Sequence, residues 1–240
     1  MRIDRIRIRA EIARALDQFR GVILVGPRQV GKATLARTFV PTGSSNYFDL
    51  EDAVVVEQFR AARALLEGLR GLVVIDEVQH APELFRLLRV LMDRDDAPAK
   101  FLLLGSASPD LVRGTSETLA GRALVLHIPG FTLEEVGLQR QNDLWLRGAF
   151  PRSFLATDEA ASLRWRESFI DSFLERDIPK LGIRTPAETL RRFWNMLCHF
   201  HGQIWNASEL ARSLAANEKT ARHYLDILAG AYMIRVLPAW

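Results

Sequence analysis

The sequence predicts an α/β protein built on a parallel sheet, followed by an α-helical segment and a small C-terminal unit. Two observations support this fold class. Five short apolar stretches alternate with stretches of helical periodicity, and wholly apolar strands are typical of a parallel sheet covered on both faces. After Pro129 the strand-like stretches stop. We therefore expect a sheet domain over residues 1–130, a helical lid or linker over 131–200, and a third unit over 201–240.

Strands and helices alternate regularly in the first part of the chain. The predicted strands are residues 22–25, 47–50, 72–75, 101–104 and 123–128. The predicted helices are residues 9–20, 33–40 and 52–69, and a further helix begins at Pro82. Later helices are predicted over residues 158–176 and 186–200. Because strands that alternate with helices form βαβ units, we expect right-handed crossovers between parallel strands.

Composition limits the classes of function. The 32 basic and 29 acidic residues leave a net charge of +3, which permits contact with nucleic acid but does not argue for it. The single cysteine, Cys198, excludes an intrachain disulfide and a zinc cluster built from cysteines. The longest apolar runs fall far short of the roughly 20 residues that span a bilayer. The N-terminus alternates charge with Ile, so we expect a soluble cytoplasmic protein with no membrane partner.

Residues 26–34 have the spacing of a phosphate-binding loop between an apolar strand and a helix. Glycines let the backbone approach a phosphate closely, and the N-terminus of the following helix favours an anion. The lysine would reach the β- and γ-phosphates of ATP. The residues predicted to bind the nucleotide are Gly26, Pro27, Arg28, Gln29, Val30, Gly31, Lys32, Ala33 and Thr34.

Ala33 departs from the usual form of this loop. The residue after the lysine is normally Ser or Thr, whose hydroxyl contacts Mg²⁺. Thr34 follows, but it is rotated by about 100° around the helix and would reach the α-phosphate more easily than the metal. Nucleotide binding should survive this change, because most of it comes from backbone amides and Lys32. Positioning of Mg²⁺, and therefore hydrolysis, is less secure.

Two carboxylates follow the third apolar strand. Asp76 and Glu77 stand at its carboxyl end, where open α/β sheets bind their ligands. Asp76 would hold Mg²⁺ through water, and Glu77 would act as general base on the attacking water. The alternative is a pair of solvated carboxylates at a strand end.

Ser106 and Arg122 are further candidates for catalysis. Ser106 ends the fourth strand, where it could sense the γ-phosphate or could cap a helix that starts near Pro109. Arg122 precedes the fifth strand and could stabilise phosphoryl charge, in cis or across a subunit interface. The alternative for Arg122 is an ordinary surface arginine.

The motifs together resemble those of the AAA+ superfamily ATPases of bacteria and archaea. One branch has the signatures GPRQVGKTTL, IDEVQ, LTGS and LAGR, and this chain has GPRQVGKATL, IDEVQ, LLGS and LAGR in the same order. The resemblance implies a P-loop NTPase fold of the AAA+ or ASCE-like type, a helical segment and a winged helix. Members of the branch usually continue into a C-terminal domain of unknown function, which we expect to be absent here.

The last forty residues also have the outline of a winged helix. Asn206 and Asn217 each precede a helical stretch as an expected cap, and residues 232–237 read as a strand. The second helix carries Arg222 on its polar face, together with acidic residues that would repel phosphate. Residues 206–237 could therefore contact DNA or dock a protein.

Three functions follow from these features. The first is an ATPase that uses Mg²⁺ and couples hydrolysis to movement of the helical and winged-helix parts. The second is a nucleotide-binding switch with little turnover, as Ala33 suggests. The third is a DNA-binding regulator that uses the winged helix.

Overall fold

The computed structural model describes residues 3–96, 99–106, 118–180 and 183–238. The chain divides into two compact units, Met1–Leu155 and Ala156–Trp240. The first unit contains the sheet, and the second contains helices in its described residues. Our domain boundaries after residues 130 and 200 stay predictions.

All five predicted strands form, and they make one parallel sheet. They are β1 (Gly21–Gly26), β2 (Tyr47–Asp49), β3 (Gly71–Asp76), β4 (Ala99–Ser106) and β5 (Ala123–His127). Their order across the sheet is β2-β3-β4-β1-β5, and every neighbouring pair is parallel. The predicted fold class is confirmed. Every residue of β1 is buried, as a central strand covered on both faces requires.

The first unit also contains helices in its described residues. They are α1 (Ile6–Gln18), α2 (Lys32–Ala36), α3 (Ala53–Gln58), α4 (Ala62–Glu67), α5 (Leu84–Met92), α6 (Leu133–Val136), α7 (Gln141–Arg147) and α8 (Pro151–Phe154). On one face of the sheet, Ile12 of α1 and Leu35 of α2 pack with Val22, Leu24 and other buried residues of the strands. This packing fixes the start of α2, and therefore the loop before it, against the end of β1.

Two predicted helices differ from those observed. The stretch 33–40 is helical only to Ala36, because the Thr38 hydroxyl and backbone N–H both donate to the carbonyl of Leu35 and turn the chain. The stretch 52–69 is divided into α3, a 3₁₀ turn and α4. Phe59 of that turn is buried and packs edge-on against Phe48, with 5.2 Å between ring centroids. This contact lies at the break between α3 and α4.

The second unit consists of helices. They are α9 (Glu159–Ser172), a π-helical turn (Phe173–Asp177), α10 (Ile178–Lys180), α11 (Ala187–Cys198), α12 (Ala207–Ser213) and α13 (Glu218–Gly230). Both predicted caps form: the Asn206 side chain accepts from the Ser208 N–H at 3.1 Å, and Asn217 accepts from the Thr220 N–H at 2.8 Å. Nowhere in the four described ranges is a helix long and apolar enough to cross a membrane.

The predicted strand over residues 232–237 is wrong, because these residues have no regular secondary structure. Tyr232 has a positive φ of 60°, which interrupts an extended conformation. A strand also needs a partner for its backbone groups, and none forms in the described part of the second unit. Two capped helices are therefore present, but the winged-helix unit is not confirmed.

Candidate functional site

The loop at residues 26–34 connects the end of β1 to the start of α2. Gly26 permits the close approach of β1 to the chain that follows β5, because a Cβ there would lie 2.3 Å from the carbonyl oxygen of Ile128. Gly31 has a φ of 95°, and Gln29 has a φ of 61° although it is not glycine. Backbone strain at a non-glycine residue is concentrated at functional sites in proteins. The loop therefore has the tight form that its glycine spacing predicts.

Lys32 is the first residue of α2 and is only 6% exposed. Its ammonium donates to the carbonyl oxygens of Gly26 at 3.0 Å and Pro27 at 2.9 Å. Burial lowers the pKa of Lys32, and the nearby Glu77 carboxylate opposes that change. The loop thus encloses a cation whose partners are two neutral carbonyl groups.

Asp76 ends β3 and is also 6% exposed. One carboxylate oxygen, Oδ1, accepts from the backbone N–H of Glu77 at 3.0 Å, and Oδ2 accepts from the hydroxyl of Tyr47 at 2.6 Å. Burial raises the pKa of Asp76, whereas the bond from Tyr47 lowers it. Burial, together with the bond to Asp76, raises the pKa of Tyr47, so that the phenol stays a donor.

Glu77 directly follows β3 and has a left-handed backbone, with a φ of 52°. Its Oε1 accepts from the hydroxyl of Ser106 at 3.1 Å, and its Oε2 accepts from the side-chain amide of Gln79. The structure therefore brings the predicted base and the predicted sensor residue into contact. The alternative role for Ser106, as the cap of a helix near Pro109, concerns residues that lie outside the described ranges.

These groups meet because their strands end at one edge of the sheet. Gly26 at the end of β1 pairs in register with Ser106 at the end of β4. Strand β3, which ends at Asp76, pairs with β4 on its other side. The carboxyl edge of the sheet thus gathers the phosphate loop, the two carboxylates and the serine, as expected for an open α/β sheet.

Arg122 is the predicted site residue that the structure does not bring to this edge. It directly precedes β5, and its carbonyl accepts from the N–H of Gly21 at the start of β1. The length of β1 separates it from the loop, which corresponds to about 15–20 Å. Its guanidinium makes two bonds to Asp93, at 2.5 and 2.8 Å. A role in cis on this chain's own phosphates does not fit this position, whereas a role across an interface stays a prediction.

The remaining loop residues have different surroundings. Arg28 forms an ion pair with Glu51, just after β2, at 2.9 Å. Ala33 packs against the buried cluster between α1 and the sheet, and Thr34 lines a cavity beside the loop. Within the described ranges, no three His, Cys, Asp or Glu side chains are grouped so that they could hold a metal on their own.

That cavity has a volume of about 140 Å³ and lies between the loop and the N-terminal segment. A cavity of roughly this size accommodates one aromatic ring. Its walls include Arg5 from before α1, Gly31 from the loop, and Phe131 and Pro151 from the chain after β5. Our sequence reasoning did not find it, because its walls come from segments far apart in the chain.

Sequence reasoning also missed Tyr47 and Gln79, which bind the two carboxylates. Tyr47 opens a short edge strand and lies opposite Val74 of β3, two residues before Asp76. No local pattern reveals this contact, because it depends on the register of β2 against β3. Gln79 lies two residues after Glu77, in a 3₁₀ turn. Side chains two residues apart in a helical turn do not normally face each other, so the sequence offers no signal for this contact.

The fold and the site together define a protein with the P-loop nucleoside triphosphatase fold. A parallel sheet, a glycine loop that leads from β1 into a helix, and carboxylates at the end of β3 are the parts that this class requires.

Comparison with known protein families supports this assignment. A family model described as an AAA domain matches residues 18–137, and the chain belongs to this family within the AAA+ superfamily of P-loop ATPases. A second family model, described as a domain of unknown function (DUF8612), matches residues 138–240. The N-terminal match covers the loop, the acidic strand and the remaining strands of the sheet.

Relatives exist in mycobacteria. The chain is 47% identical over 240 residues to the uncharacterized proteins Mb2031c of Mycobacterium bovis and Rv2008c of Mycobacterium tuberculosis. All of the chain is aligned, and it spans about half (54%) of the length of each relative.

A solved structure shares the fold. It is the Walker-type ATPase PABY2304 of Pyrococcus abyssi, with a TM-score of 0.65 and 16% identity. The alignment covers 96% of this chain and 90% of that one.

Proposed function

We propose that this chain is a magnesium-dependent ATPase that couples its nucleotide state to movement of its helical parts. The observation that supports this most is the meeting of Lys32, Asp76 and Glu77 at one edge of the sheet beside a phosphate-type loop. A cation for the phosphates, a carboxylate for the metal and a carboxylate for water are the groups that phosphoryl transfer to water needs.

The cavity beside the loop would receive one ring of the base of the nucleotide. It adjoins Gly31 and Thr34, next to the part of the loop that faces the phosphates. Apolar groups of Val30, Phe131 and Pro151 would contact the faces of a flat ring. Adenine in this cavity would place the triphosphate along the loop towards Lys32.

The protein groups would act as follows. On binding, the Lys32 ammonium would exchange the carbonyls of Gly26 and Pro27 for phosphate oxygens, which are stronger, charged acceptors. Glu77 would accept a proton from the attacking water at one of its two carboxylate oxygens. Because Ser106 already donates to one of them, it would orient Glu77 or turn to the γ-phosphate once that group is bound.

The oxygen ligands present fit Mg²⁺ in part. Mg²⁺ prefers hard oxygen ligands, and proteins commonly supply only one or two carboxylates beside the substrate phosphates. Asp76 meets this need at the end of β3, whereas the methyl group of Ala33 does not. When bound, the ion would neutralise charge on the β- and γ-phosphates. Asp76 is the protein group that would hold it, through water.

Binding of ATP to the purified chain tests the proposal. We expect that Lys32→Ala weakens ATP affinity by about a hundredfold, since it removes charge-assisted bonds to the phosphates. Lys219→Ala, on an exposed face of α13, is the matched control and should bind as the parent does. A Lys32→Ala protein that is folded and binds ATP as tightly as the parent would refute the assignment of the loop.

A second candidate function is a nucleotide-binding switch with little turnover. Ala33 favours it, because the protein then offers the metal one ligand fewer than usual. Affinity measured together with the rate of phosphate release separates the two functions. Tight Mg·ATP binding without phosphate release supports the switch, whereas phosphate release that depends on Mg²⁺ supports the ATPase.

A contact with DNA or another protein through residues 206–237 stays a proposal. Lys219, Arg222 and His223 are exposed on α13, but so are Glu218 and Asp226. Duplex DNA binding that weakens with salt and with Arg222→Ala would support DNA as the partner. Absence of DNA binding at low salt would leave protein docking as the proposal for this surface.

A further inference from the structure

The structure assigns to Tyr47 the role of a positioning residue for the magnesium-holding carboxylate. We infer that its hydroxyl fixes Asp76 in the orientation that Mg·ATP requires, and that this bond offsets the missing hydroxyl at Ala33. The inference rests on the proposed function and names a further residue of the same site.

The carboxylate of Asp76 is held from two sides. The backbone N–H of Glu77 donates to Oδ1 at 3.0 Å, and the Tyr47 hydroxyl donates to Oδ2 at 2.6 Å. The first bond comes from the next residue in the chain, and the second comes from a neighbouring strand. Together they hold both oxygens and so fix the orientation of the carboxylate. Each oxygen keeps a lone pair for a water molecule on the metal.

The register of the sheet explains why Tyr47 can reach Asp76. Tyr47 lies opposite Val74, and Asp49 lies opposite Asp76. Two residues along a strand correspond to about 6–7 Å, which a tyrosine side chain can span. A shorter hydroxyl side chain, such as Ser or Thr, would not cover this distance from position 47. A tyrosine at position 47 therefore has the length that this register requires.

The tyrosine ring contacts the residue that ends the helix of the phosphate loop. The guanidinium carbon of Arg37 lies 4.0 Å from the centroid of the Tyr47 ring, a cation–π contact. Arg37 is the residue at the C-terminal end of α2, and α2 begins with Lys32. The Tyr47 side chain thus contacts both Arg37, at the end of the helix that would bind the phosphates, and Asp76, which would hold the metal.

Ala33 explains why this bond matters here. In P-loop proteins Mg²⁺ is commonly held by a Ser or Thr hydroxyl and by an acidic residue. This chain lacks the first group, so Asp76 carries the protein's share of the metal contact alone. Ala33 and Tyr47 pack against the same buried cluster, on one side of the sheet. The orientation of Asp76 is then the property that decides how well the metal is held.

The test compares nucleotide binding with and without magnesium. Tyr47→Phe removes the hydroxyl and keeps the ring, and Tyr224→Phe in the second unit is the matched control. A fluorescent ATP analogue is titrated in EDTA and then at rising Mg²⁺ concentrations. For Tyr47→Phe we expect unchanged binding in EDTA and about a tenfold higher Mg²⁺ concentration at half-effect, the size of a lost bond to a charged group. The control should match the parent in both series.

A second variant separates positioning from a structural role. If Tyr47 offsets Ala33, then Ala33→Thr should restore the Mg²⁺ dependence of Tyr47→Phe to that of the parent. Equal weakening with and without Mg²⁺, or no rescue by Ala33→Thr, would overturn the inference. The same Mg²⁺ dependence in Tyr47→Phe as in a parent that binds Mg·ATP would also overturn the inference, and this outcome leaves the proposed function intact. Failure of the parent to bind the analogue in any condition would instead refute the proposed function, and this inference with it.

Discussion

The charged side chains at the two edges of the sheet differ in burial, although both edges carry charged residues next to strand ends. At the carboxyl edge, Lys32 and Asp76 are almost fully buried, and Glu77 contacts Ser106. At the amino edge, Arg122 is paired with Asp93 beside a groove open to solvent. Because all five strands are parallel, residues that follow strands meet at one edge and residues that precede them meet at the other. The common direction of the strands therefore decides which polar residues lie close enough to act together.

Two arginine–carboxylate pairs differ in burial in the same way. Arg5 and Glu135 pair at 2.8 Å near the carboxyl edge, with side chains only 8% and 7% exposed. Arg122 and Asp93 pair at 2.5 Å at the amino edge, with side chains 32% and 44% exposed. Water screens the second pair much more than the first. The two pairs should therefore contribute unequally to stability, although their geometry is similar.

The largest effect is expected from Glu77→Gln at the carboxyl edge. The amide keeps the shape of the carboxylate but cannot accept the proton of the attacking water. We expect ATP hydrolysis to fall by about a thousandfold, within the range for loss of a general base, while ATP affinity stays close to that of the parent. Phosphate release and equilibrium nucleotide binding, measured on the same preparation, check both parts.

Glu57→Gln is the matched control for this prediction, since Glu57 lies exposed on α3. It should leave both hydrolysis and binding unchanged. If the parent releases phosphate no faster than Glu77→Gln, the chain acts as a switch and not as an ATPase. If Glu77→Gln hydrolyses ATP at the parent's rate, another group must serve as the base.

The next effect concerns stability. Arg5 donates to the Glu135 carboxylate and to the carbonyls of Pro129 and Gly130, and so ties the N-terminal segment to the chain that follows β5. Arg5→Ala would leave a buried carboxylate without its cation, which typically costs about 3–5 kcal/mol. For a chain of this size, that loss corresponds to a melting temperature lower by roughly 10 °C.

The neighbouring exposed pair provides the control. Arg7 contacts Glu134 at 2.6 Å, with side chains 75% and 66% exposed. We expect that Arg7→Ala leaves the melting temperature almost unchanged, because water replaces the contact on both sides. Equal losses for Arg5→Ala and Arg7→Ala would show that burial does not govern these pairs.

The sequence predicted the carboxyl edge better than the rest of the molecule. An apolar strand followed by a glycine loop and a lysine has few other structures available to it, and parallel strands must end together. Lys32, Asp76 and Ser106 could therefore be assigned to one edge without knowledge of the strand order. Arg122 is harder to assign, because its position before β5 does not show whether it acts in cis, across a subunit interface or only at the surface.

What the sequence could not predict depends on contacts between distant segments. The bond from Tyr47 to Asp76 requires the register of β2 against β3, which local patterns do not reveal. The cavity beside the loop requires the chain after β5 to return to Gly31. The strand predicted over residues 232–237 is absent, because a strand also needs a neighbour to pair with.

The smallest effect is expected at the amino edge, and it tests the comparison directly. Arg122→Ala should leave ATP affinity within about twofold of the parent, because surface changes far from a site usually have little effect on it. Arg86→Ala, in the lining of the groove beside Asp93, is the control. A large loss of affinity for Arg122→Ala alone would contradict the separation of the two edges.

The rate of ATP hydrolysis by Arg122→Ala tests a role for this arginine across an interface between copies of the chain. If copies of the chain assemble so that Arg122 meets a neighbour's phosphates, turnover per chain should rise with protein concentration in the parent and not in Arg122→Ala. The arginine would first have to leave Asp93, so Asp93→Asn should favour turnover where the arginine acts across an interface. If turnover per chain is independent of concentration in all three proteins, the pair at the amino edge serves only the fold.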